Sequence, residues 1–338
     1  MNLNEKKYSQ YALCREMLET ADVVRNFDLS RISPFAEKVK GASRLFLTGE
    51  GSSRIFPAKR AIYENLRSGN NLSLHTDGST QALEYNLNEV PVFGMSNSGR
   101  TKELVRLFKK LKSEDHNGGI YGITAFDKTP VTEITDRSFV LDCGSEDAVA
   151  ATKSVAEQAL FYHALLAEMN GEKLTGLKEA GDAVEKALTL EIDPAIIAKI
   201  ASAGMIYFAG RNNGVAEELT LKTNEITRKK SDYLEGTYAA HGIEEVMNKE
   251  DILIVVDPFE DEEEKFRQCL ADGVGMNIIA ISSRQTSFDT VIIPDGGAFR
   301  NYVELAAGWS LLVETGIALG VDLDKPVRAR KVGNEVAG

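Results

Sequence analysis

Three hydroxyl side chains surround one glycine in the segment 94–101, which reads GMSNSGRT. The hydroxyls belong to Ser96, Ser98 and Thr101, with Gly99 among them. An apolar run precedes the segment and an amphipathic run follows it, which predicts a strand, a tight turn and a helix. Hydroxyls and backbone N–H groups at the positive end of a helix dipole suit a phosphate dianion. The segment therefore predicts a phosphate-binding loop, since an ordinary helix cap needs only one serine.

This loop lacks the spacing of the common nucleotide-binding motifs. A P-loop requires G-x-x-x-x-G-K-[ST], and a dinucleotide fingerprint requires G-x-G-x-x-G after a strand, with an acidic residue about 20 residues later. The loop has neither pattern. The sequence therefore does not indicate that the bound phosphate belongs to a nucleotide.

Composition narrows the class of protein. The chain has 338 residues, 43% of them hydrophobic and 27% charged, which is typical of a globular protein of about two domains. The net charge of -12 argues against non-specific binding to nucleic acid or to an anionic membrane. Cys14, Cys143 and Cys269 are far apart, which favours neither a disulfide framework nor a zinc site. With no signal-peptide pattern and no apolar run long enough to span a membrane, we expect a cytoplasmic protein.

Strand and helix patterns alternate along the chain, and one order of elements occurs twice. In each half, a strand, a glycine turn and a helix precede a strand, a helix, two more strands and a long helix. Such alternation predicts an α/β protein with parallel sheets between helices, and its recurrence predicts a tandem duplication. The predicted parts are an N-terminal helical segment (1–40), a first domain (41–172), a second domain (173–321) and a C-terminal tail (322–338).

The two predicted sheets differ in the turns that follow their strands. Open parallel sheets bind ligands at the carboxyl ends of the strands. In the first half, the loop 94–101 and the turn Gly51-Ser52-Ser53 are both placed there. The corresponding turn of the second half, 257–264, reads DPFEDEEE and would repel a phosphate. We therefore expect one phosphate site per chain, in the first half.

Four segments of the chain carry recognisable motifs. They are the turn 51–53, the S-x-S-G-x-T loop at 96–101, the G-x-E-x-x-V-A-x-T-K segment at 144–153 and the D-x-D-x-P tail at 322–331, which ends in a lysine. Together they resemble the tandem sugar isomerase (SIS) domain proteins, and in particular the isomerase half of glucosamine-6-phosphate synthase. The resemblance implies two tandem SIS domains, each a flavodoxin-like three-layer α/β/α sandwich with a mainly parallel sheet.

The resemblance also implies a set of site residues for a phosphosugar. We expect no cofactor and no metal, because the sequence shows no metal-ligand cluster and isomerisation by proton transfer needs none. The residues that would bind the substrate are Gly51, Ser52, Ser53, Ser96, Asn97, Ser98, Thr101, Glu146, Val149 and Ala151. Glu225 would carry a proton between C1 and C2, and His241 would open the sugar ring. Lys331, on a tail that would act as a lid, would stabilise the open-chain oxyanion or form a Schiff base. A homodimer is implied, because the family's histidine comes from the neighbouring subunit.

Simpler interpretations of these residues remain open from the sequence. Glu225 lies among other charged residues and could belong to a solvated helix face. Glu146 could cap the helix predicted to begin near Ala148 instead of contacting the sugar. Lys331 could belong to a basic tail. His241 is followed by Gly-Ile, where the family usually has Gly-Pro.

The reaction expected from this resemblance is isomerisation or deamination. The synthase family carries a glutaminase domain with an N-terminal cysteine, whereas here Met1 is followed by Asn2. We therefore expect action on a hexose or amino-sugar 6-phosphate, of the glucosamine 6-phosphate/fructose 6-phosphate type, without glutamine. Two alternatives are a deglycase for fructose–amino-acid 6-phosphates and a non-catalytic sugar-phosphate sensor.

Overall fold

The structure, a computed structural model, describes residues 1–328 and 335–336. The strands are Arg44–Gly49 (β1), Ser73–Gly78 (β2), Val92–Met95 (β3), Ile120–Thr124 (β4), Arg137–Val140 (β5), Ile206–Gly210 (β6), Ser231–Glu235 (β7), Ile252–Val256 (β8), Asn277–Ser282 (β9) and Asp289–Ile292 (β10). The α-helices are Lys6–Ser9 (α1), Ala12–Arg25 (α2), Ser33–Ala36 (α3), Ile55–Ser68 (α4), Lys102–Ser113 (α5), Pro130–Ile134 (α6), Lys153–Met169 (α7), Leu177–Leu188 (α8), Pro194–Ser202 (α9), Val215–Thr227 (α10), Glu263–Phe266 (α11) and Arg300–Ala318 (α12). Short 3-10 helices cover Leu29–Arg31, Gly51–Ser53, Gln81–Glu84, Tyr238–Ala240, Ile243–Val246, Glu260–Glu262 and Gly297–Phe299, and a π-helix covers Arg267–Val274.

Two five-stranded sheets share one strand order. The first is β2-β1-β3-β4-β5 and the second, taken from its other edge, is β7-β6-β8-β9-β10. Every pair of neighbouring strands is parallel. This is the flavodoxin-like order, in which the direction of winding reverses between β1 and β3 and again between β6 and β8. The predicted α/β class with parallel sheets is confirmed.

Helices cover both faces of the first sheet. Alternate residues of a strand point to opposite faces, and in β3 the ring of Phe93 lies 6.0 Å from the ring of Phe161 in α7. The next residue, Gly94, faces α5, where an added Cβ would lie 2.4 Å from Phe108 Cζ. The glycine therefore lets α5 pack directly onto the strand. This contact holds α5 against the strand that precedes the loop.

The second sheet is packed in the same way. On one face, Tyr207 and Ala209 of β6 pack in a buried cluster with Phe266 and Leu270. Elsewhere in this unit α10 and α12 pack closely together, since a Cβ on Gly308 would lie 2.4 Å from Leu219 Cδ1. This packing holds α10, which carries Glu225, in a fixed position.

The chain forms two compact units. The first-sheet unit contains residues 26–146, 151–177 and, at the C-terminus, 335–336. The second-sheet unit contains residues 1–25, 147–150 and 178–328. Helix α2 and the short segment 147–150 therefore belong with the second sheet. There, the Glu16 carboxylate of α2 accepts the N–H groups of Asp147 and Ala148.

Candidate active site

The two hydroxyl-rich turns lie side by side at the carboxyl edge of the first sheet. Strands β1 and β3 pair in parallel with Gly49 opposite Met95, and the turns Gly51–Ser53 and 96–101 follow them directly. A Cβ on Gly49 would lie 2.8 Å from Met95 O, so this close approach of the two strand ends requires glycine. The position is the topological switch point of the sheet, where such folds bind ligands.

The loop 96–101 is held in a tight turn by its own hydrogen bonds. Ser96 Oγ lies 2.8 Å from Thr101 Oγ1, and the Gly99 N–H donates to Ser96 O at 3.2 Å. Gly99 has φ +64, and a Cβ there would lie 2.3 Å from Thr129 Oγ1. Glycine is thus required both by the backbone conformation and by the space. The turn is formed by the protein itself and needs no ligand to shape it.

Helix α5 begins immediately after this turn, at Lys102. The Thr101 side chain does not cap the helix, since its hydroxyl bonds Ser96. The first N–H groups of a helix have no intrahelical partner and carry partial positive charge. Ser98 is half-buried, and its Oγ accepts the Arg100 N–H at 3.2 Å, which leaves the hydroxyl hydrogen able to donate. The loop therefore offers donors suited to an anion.

Glu146 binds protein groups from two directions. Its Oε1 accepts the Thr152 N–H at 2.6 Å and the Thr152 hydroxyl at 3.2 Å, and its Oε2 accepts the Ser154 hydroxyl. The side-chain amide of Asn97 also donates to Oε2, at 3.0 Å. These donors surround the start of α7 at Lys153. This geometry favours the capping interpretation of Glu146 and adds a second task, which is to hold Asn97 in the loop.

Two amide side chains at the carboxyl ends of these strands each have a carbonyl oxygen that can still accept a hydrogen bond. Within the described residues, Asn97 Oδ1 and Gln158 Oε1 are buried and have no hydrogen-bond partner. The Gln158 amide donates to Ser53 Oγ at 3.4 Å, so α7 reaches the first hydroxyl turn. Ser52 is buried in that turn, and Ala151 is half-buried just before the cap of α7. Gln158 was not recognisable from the sequence, because it lies on a helix with buried residues on all sides.

A half-buried and a buried carboxylate flank the site. Burial raises the pKa of Glu50, which follows β1 and accepts the Ser79 N–H at 2.8 Å. Burial also raises the pKa of Glu157, whose two oxygens accept the N–H groups of Asp142 and Cys143 at 2.8 Å each. The pKa of the Cys143 thiol is raised for the same reason, so this cysteine is not an activated nucleophile.

Glu225 lies in the second-sheet unit, near the end of α10, and is held by a buried lysine. Lys222 Nζ is 2.7 Å from Glu225 Oε2 and 3.3 Å from Glu218 Oε1. Lys222 and Glu218 are fully buried, whereas the Glu225 side chain keeps 22% of its exposure. A solvated helix face does not have this arrangement, so the simpler interpretation of Glu225 is not supported. The pairing of Lys222 with Glu225 was not predicted from the sequence, although residues three positions apart on a helix lie on the same face.

His241 and Glu225 lie at opposite ends of the strands of the second sheet, His241 at the carboxyl ends and Glu225 towards the amino ends. Helix α10 starts at the carboxyl edge after β6 and runs back, so Glu225, 225 − 215 = 10 residues along it, is about 15 Å from that edge. His241 follows β7 and the 3-10 helix Tyr238–Ala240 at the carboxyl edge. It is exposed, with Lys265 Nζ 3.0 Å from its Nε2. The structure does not bring Glu225 and His241 of one chain together.

Val149 contacts the C-terminal tail, to which Lys331 belongs in sequence. Val149 belongs to the segment 147–150, and its N–H donates to Asp324 O at 3.2 Å. Lys331 lies outside the described residues. Beyond it, Glu335 pairs with Thr101 in an antiparallel bridge, and the Val336 N–H donates to Arg100 O at 2.9 Å. A short C-terminal segment thus runs along the phosphate loop, which the sequence did not indicate.

Residues 38–168 match the family model of the SIS domain, so the chain carries a SIS domain in its first half. A comparison with curated proteins found no match. Among solved structures, the chain is similar to the C-terminal domain of glucosamine-fructose-6-phosphate aminotransferase from Francisella tularensis, with TM-score 0.79 and 17% identity over 94% of this chain and 98% of that one. It is also similar to a glucosamine-6-phosphate deaminase from Thermotoga maritima, with TM-score 0.77 and 18% identity over 96% and 99%. A third is tagatose-6-phosphate ketose/aldose isomerase from Escherichia coli, with TM-score 0.79 and 16% identity over 96% and 98%.

At these identities the likeness shows the fold. It extends over both sheets, which is consistent with two SIS-like domains. In the part of the chain that the structure describes, no helix is long and apolar enough to cross a membrane. Nor do three or more His, Cys, Asp or Glu side chains gather there as metal ligands would.

Proposed function

We propose that this protein is a phosphosugar isomerase or amino-sugar-phosphate deaminase that acts on a hexose or amino-sugar 6-phosphate. The observation that carries the proposal is the preformed hydroxyl loop 96–101, at the switch point of a sheet within the SIS domain. The three similar structures described above are each named for a sugar 6-phosphate. A phosphate ester bound at this loop would leave the sugar carbons free for proton transfer.

The phosphate would be anchored by neutral donors backed by the dipole of α5. The Ser98 hydroxyl, one hydroxyl of the bonded Ser96–Thr101 pair and the first N–H groups of α5 would donate to its oxygens. Ser52 and Ser53 would complete the site from the neighbouring turn. Arg100 is half-buried beside them and can add charge. Such an anchor fixes the sugar without taking part in the reaction.

Interconversion of an aldose and a ketose moves a proton between C1 and C2 and needs one group that both accepts and donates it. Glu225 fits this task, because a carboxylate can do both and Lys222 fixes its orientation. In the deaminating direction, glucosamine 6-phosphate and water give fructose 6-phosphate and ammonia, with no electrons gained or lost. Lys331 would stabilise the oxyanion of the open chain or form a Schiff base.

Ring opening by His241 requires a second copy of the chain. Glu225 and His241 of one chain lie at opposite ends of the strands of the second sheet. One sugar therefore cannot contact both residues unless another chain supplies the histidine. The surface around His241 supports such an arrangement, since the side chains of Tyr238 and Val246 are 49% and 64% exposed nearby. We therefore propose a homodimer whose sites each combine residues from two chains.

The second sheet would serve as a SIS-like framework without a phosphate site. At its switch point the Asp257 carboxylate is bonded by Arg211 and Arg300. An anionic ligand at this point would compete with a carboxylate that the protein itself supplies. This observation supports one phosphosugar per chain, bound in the first half.

The experiment that tests the function is incubation with glucosamine 6-phosphate, with fructose 6-phosphate plus ammonia, and with fructosyl-amino-acid 6-phosphates. Turnover of the first pair is expected, and Glu225→Gln should abolish it while binding persists. Glu179→Gln, an exposed glutamate of α8, is the matched control and should be active. Turnover of the fructosyl compounds alone would indicate a deglycase, and binding without any turnover would indicate a sensor.

A further inference from the structure

Asp324, the second acid of the D-x-D tail, caps a helix that is distant in sequence. Its Oδ2 accepts the Ala12 N–H at 2.9 Å and its Oδ1 accepts the Leu13 N–H at 2.8 Å. These N–H groups begin α2 and have no partner within that helix. A carboxylate at this end also meets the positive pole of the helix dipole. One side chain therefore joins the start of the C-terminal tail to the start of α2.

The backbone of Asp324 holds a second segment. Its carbonyl oxygen accepts the Val149 N–H at 3.2 Å. From the other side, Glu16 in the next turn of α2 accepts the N–H groups of Asp147 and Ala148. The segment 147–150 is thus fixed between two acidic residues at the start of α2. Val149 is one of the residues that the family resemblance implies would bind the substrate.

The residues just before Asp324 tie the tail to α10 and α12. Asp322 O accepts a hydrogen bond from Arg228, which ends α10 with φ +62 and also bonds Glu225 O. Leu323 is 1% exposed, and it packs so closely on α12 that a Cβ on Gly316 would lie 2.5 Å from Leu323 Cδ2. The segment 322–324 is therefore an anchor with contacts to α2, α10, α12 and the segment 147–150.

The chain leaves the packed surface directly after this anchor. Lys325 and Arg328 are exposed, and Val327 is 96% exposed.

We propose that Asp324 is a positioning residue: it fixes the segment of Val149, together with residues 322–324, on the start of α2. It touches no substrate. Asp322 shapes the same turn, since its Oδ1 accepts the N–H groups of Asp324 at 3.0 Å and Lys325 at 3.3 Å. The catalytic consequence rests on the proposed function, whereas the anchor itself does not.

The test compares Asp324→Asn and Asp324→Ala with Asp272→Asn, an exposed aspartate paired with Arg267. Hydrogen–deuterium exchange of the full chain should show faster exchange at the amides of Ala12, Leu13 and Val149 in the first two variants and no change in the control. In turnover of glucosamine 6-phosphate, kcat should fall about 10- to 100-fold in Asp324→Ala with KM nearly constant, because the phosphate loop belongs to the other compact unit.

Two outcomes would overturn the proposal. Unchanged exchange at these three amides would show that Asp324 is not an anchor. Faster exchange with wild-type kcat would show that the anchor does not position the reacting groups. A wild-type protein that turns over no sugar would refute the proposed function instead, and exchange would then still decide whether the anchor exists.

Discussion

Ser98 differs from the other hydroxyls of the phosphate loop in its hydrogen bonding. Ser96 and Thr101 bond each other at 2.8 Å, whereas Ser98 accepts a backbone N–H and keeps its own hydrogen. We expect Ser98→Ala to weaken binding of fructose 6-phosphate by roughly 1–3 kcal/mol through the loss of a charge-assisted bond. Calorimetric titration measures this. Ser113→Ala, at the far end of α5, is the control, and equal affinities in the two variants would contradict the assignment.

Lys222 is a buried charge that needs its partners. Removing one member of a buried ion pair leaves an uncompensated charge and typically costs about 3–5 kcal/mol. We therefore expect Lys222→Met to lower the free energy of unfolding by about that amount and to reduce turnover. Lys199→Met breaks an exposed pair with Asp289 and should cost less than about 1 kcal/mol. Urea unfolding tests the difference, and similar losses in both variants would count against a buried cluster around Glu225.

The turn between β3 and α5 depends on glycine in two ways that can be separated. Gly99 and Gly41 have φ +64 and +82, but a Cβ on Gly99 would collide with Thr129, whereas nothing lies within 4 Å of Gly41. Gly41→Ala should therefore cost only the strain of the left-handed conformation, about 1–2 kcal/mol. Gly99→Ala should cost more and should also weaken phosphosugar binding at least about 10-fold, because the loop must move. Unfolding and binding measured on both variants test this, and normal binding by Gly99→Ala would contradict a preformed loop.

The sequence indicated the buried elements better than the edges of the sheets. Strands such as β6 and β8 are apolar throughout and stand out. Strand β7, which reads SDYLE, was missed, since at the edge of its sheet only Leu234 is buried and no apolar pattern arises. Helix α6, Pro130–Ile134, was also missed because it has five residues, too few to show a helical period.

The same difference applies to the candidate site. The loop 96–101 could be predicted because its geometry comes from residues adjacent in sequence. The bond from Asn97 to Glu146 joins residues 49 positions apart, and the pairing of Val336 with Arg100 spans most of the chain. A single sequence carries no local pattern for such contacts. They follow from the fold, and so do the supporting roles of Gln158 and Asp324.

At the scale of the whole molecule, the positions of Glu225 and His241 predict shared sites. If each site takes Glu225 from one chain and His241 from another, mixed dimers of two inactive variants contain one intact site. Glu225→Gln and His241→Asn, refolded together, should recover about one quarter of wild-type activity, because about half of the dimers are mixed and each has one working site of two. The separate variants, refolded alone, are the control. No recovery from a confirmed mixed dimer would contradict a shared site.

The central claim, proton transfer at C1 and C2 of a sugar 6-phosphate, can be followed directly by proton NMR in deuterated water. With fructose 6-phosphate, alone and with ammonium, the wild-type protein should form an aldose or 2-amino-aldose 6-phosphate or exchange a C1 proton with solvent. Glu225→Gln should bind the ester and do neither. A wild-type protein that binds fructose 6-phosphate but forms no product and exchanges no C1 proton would contradict the account.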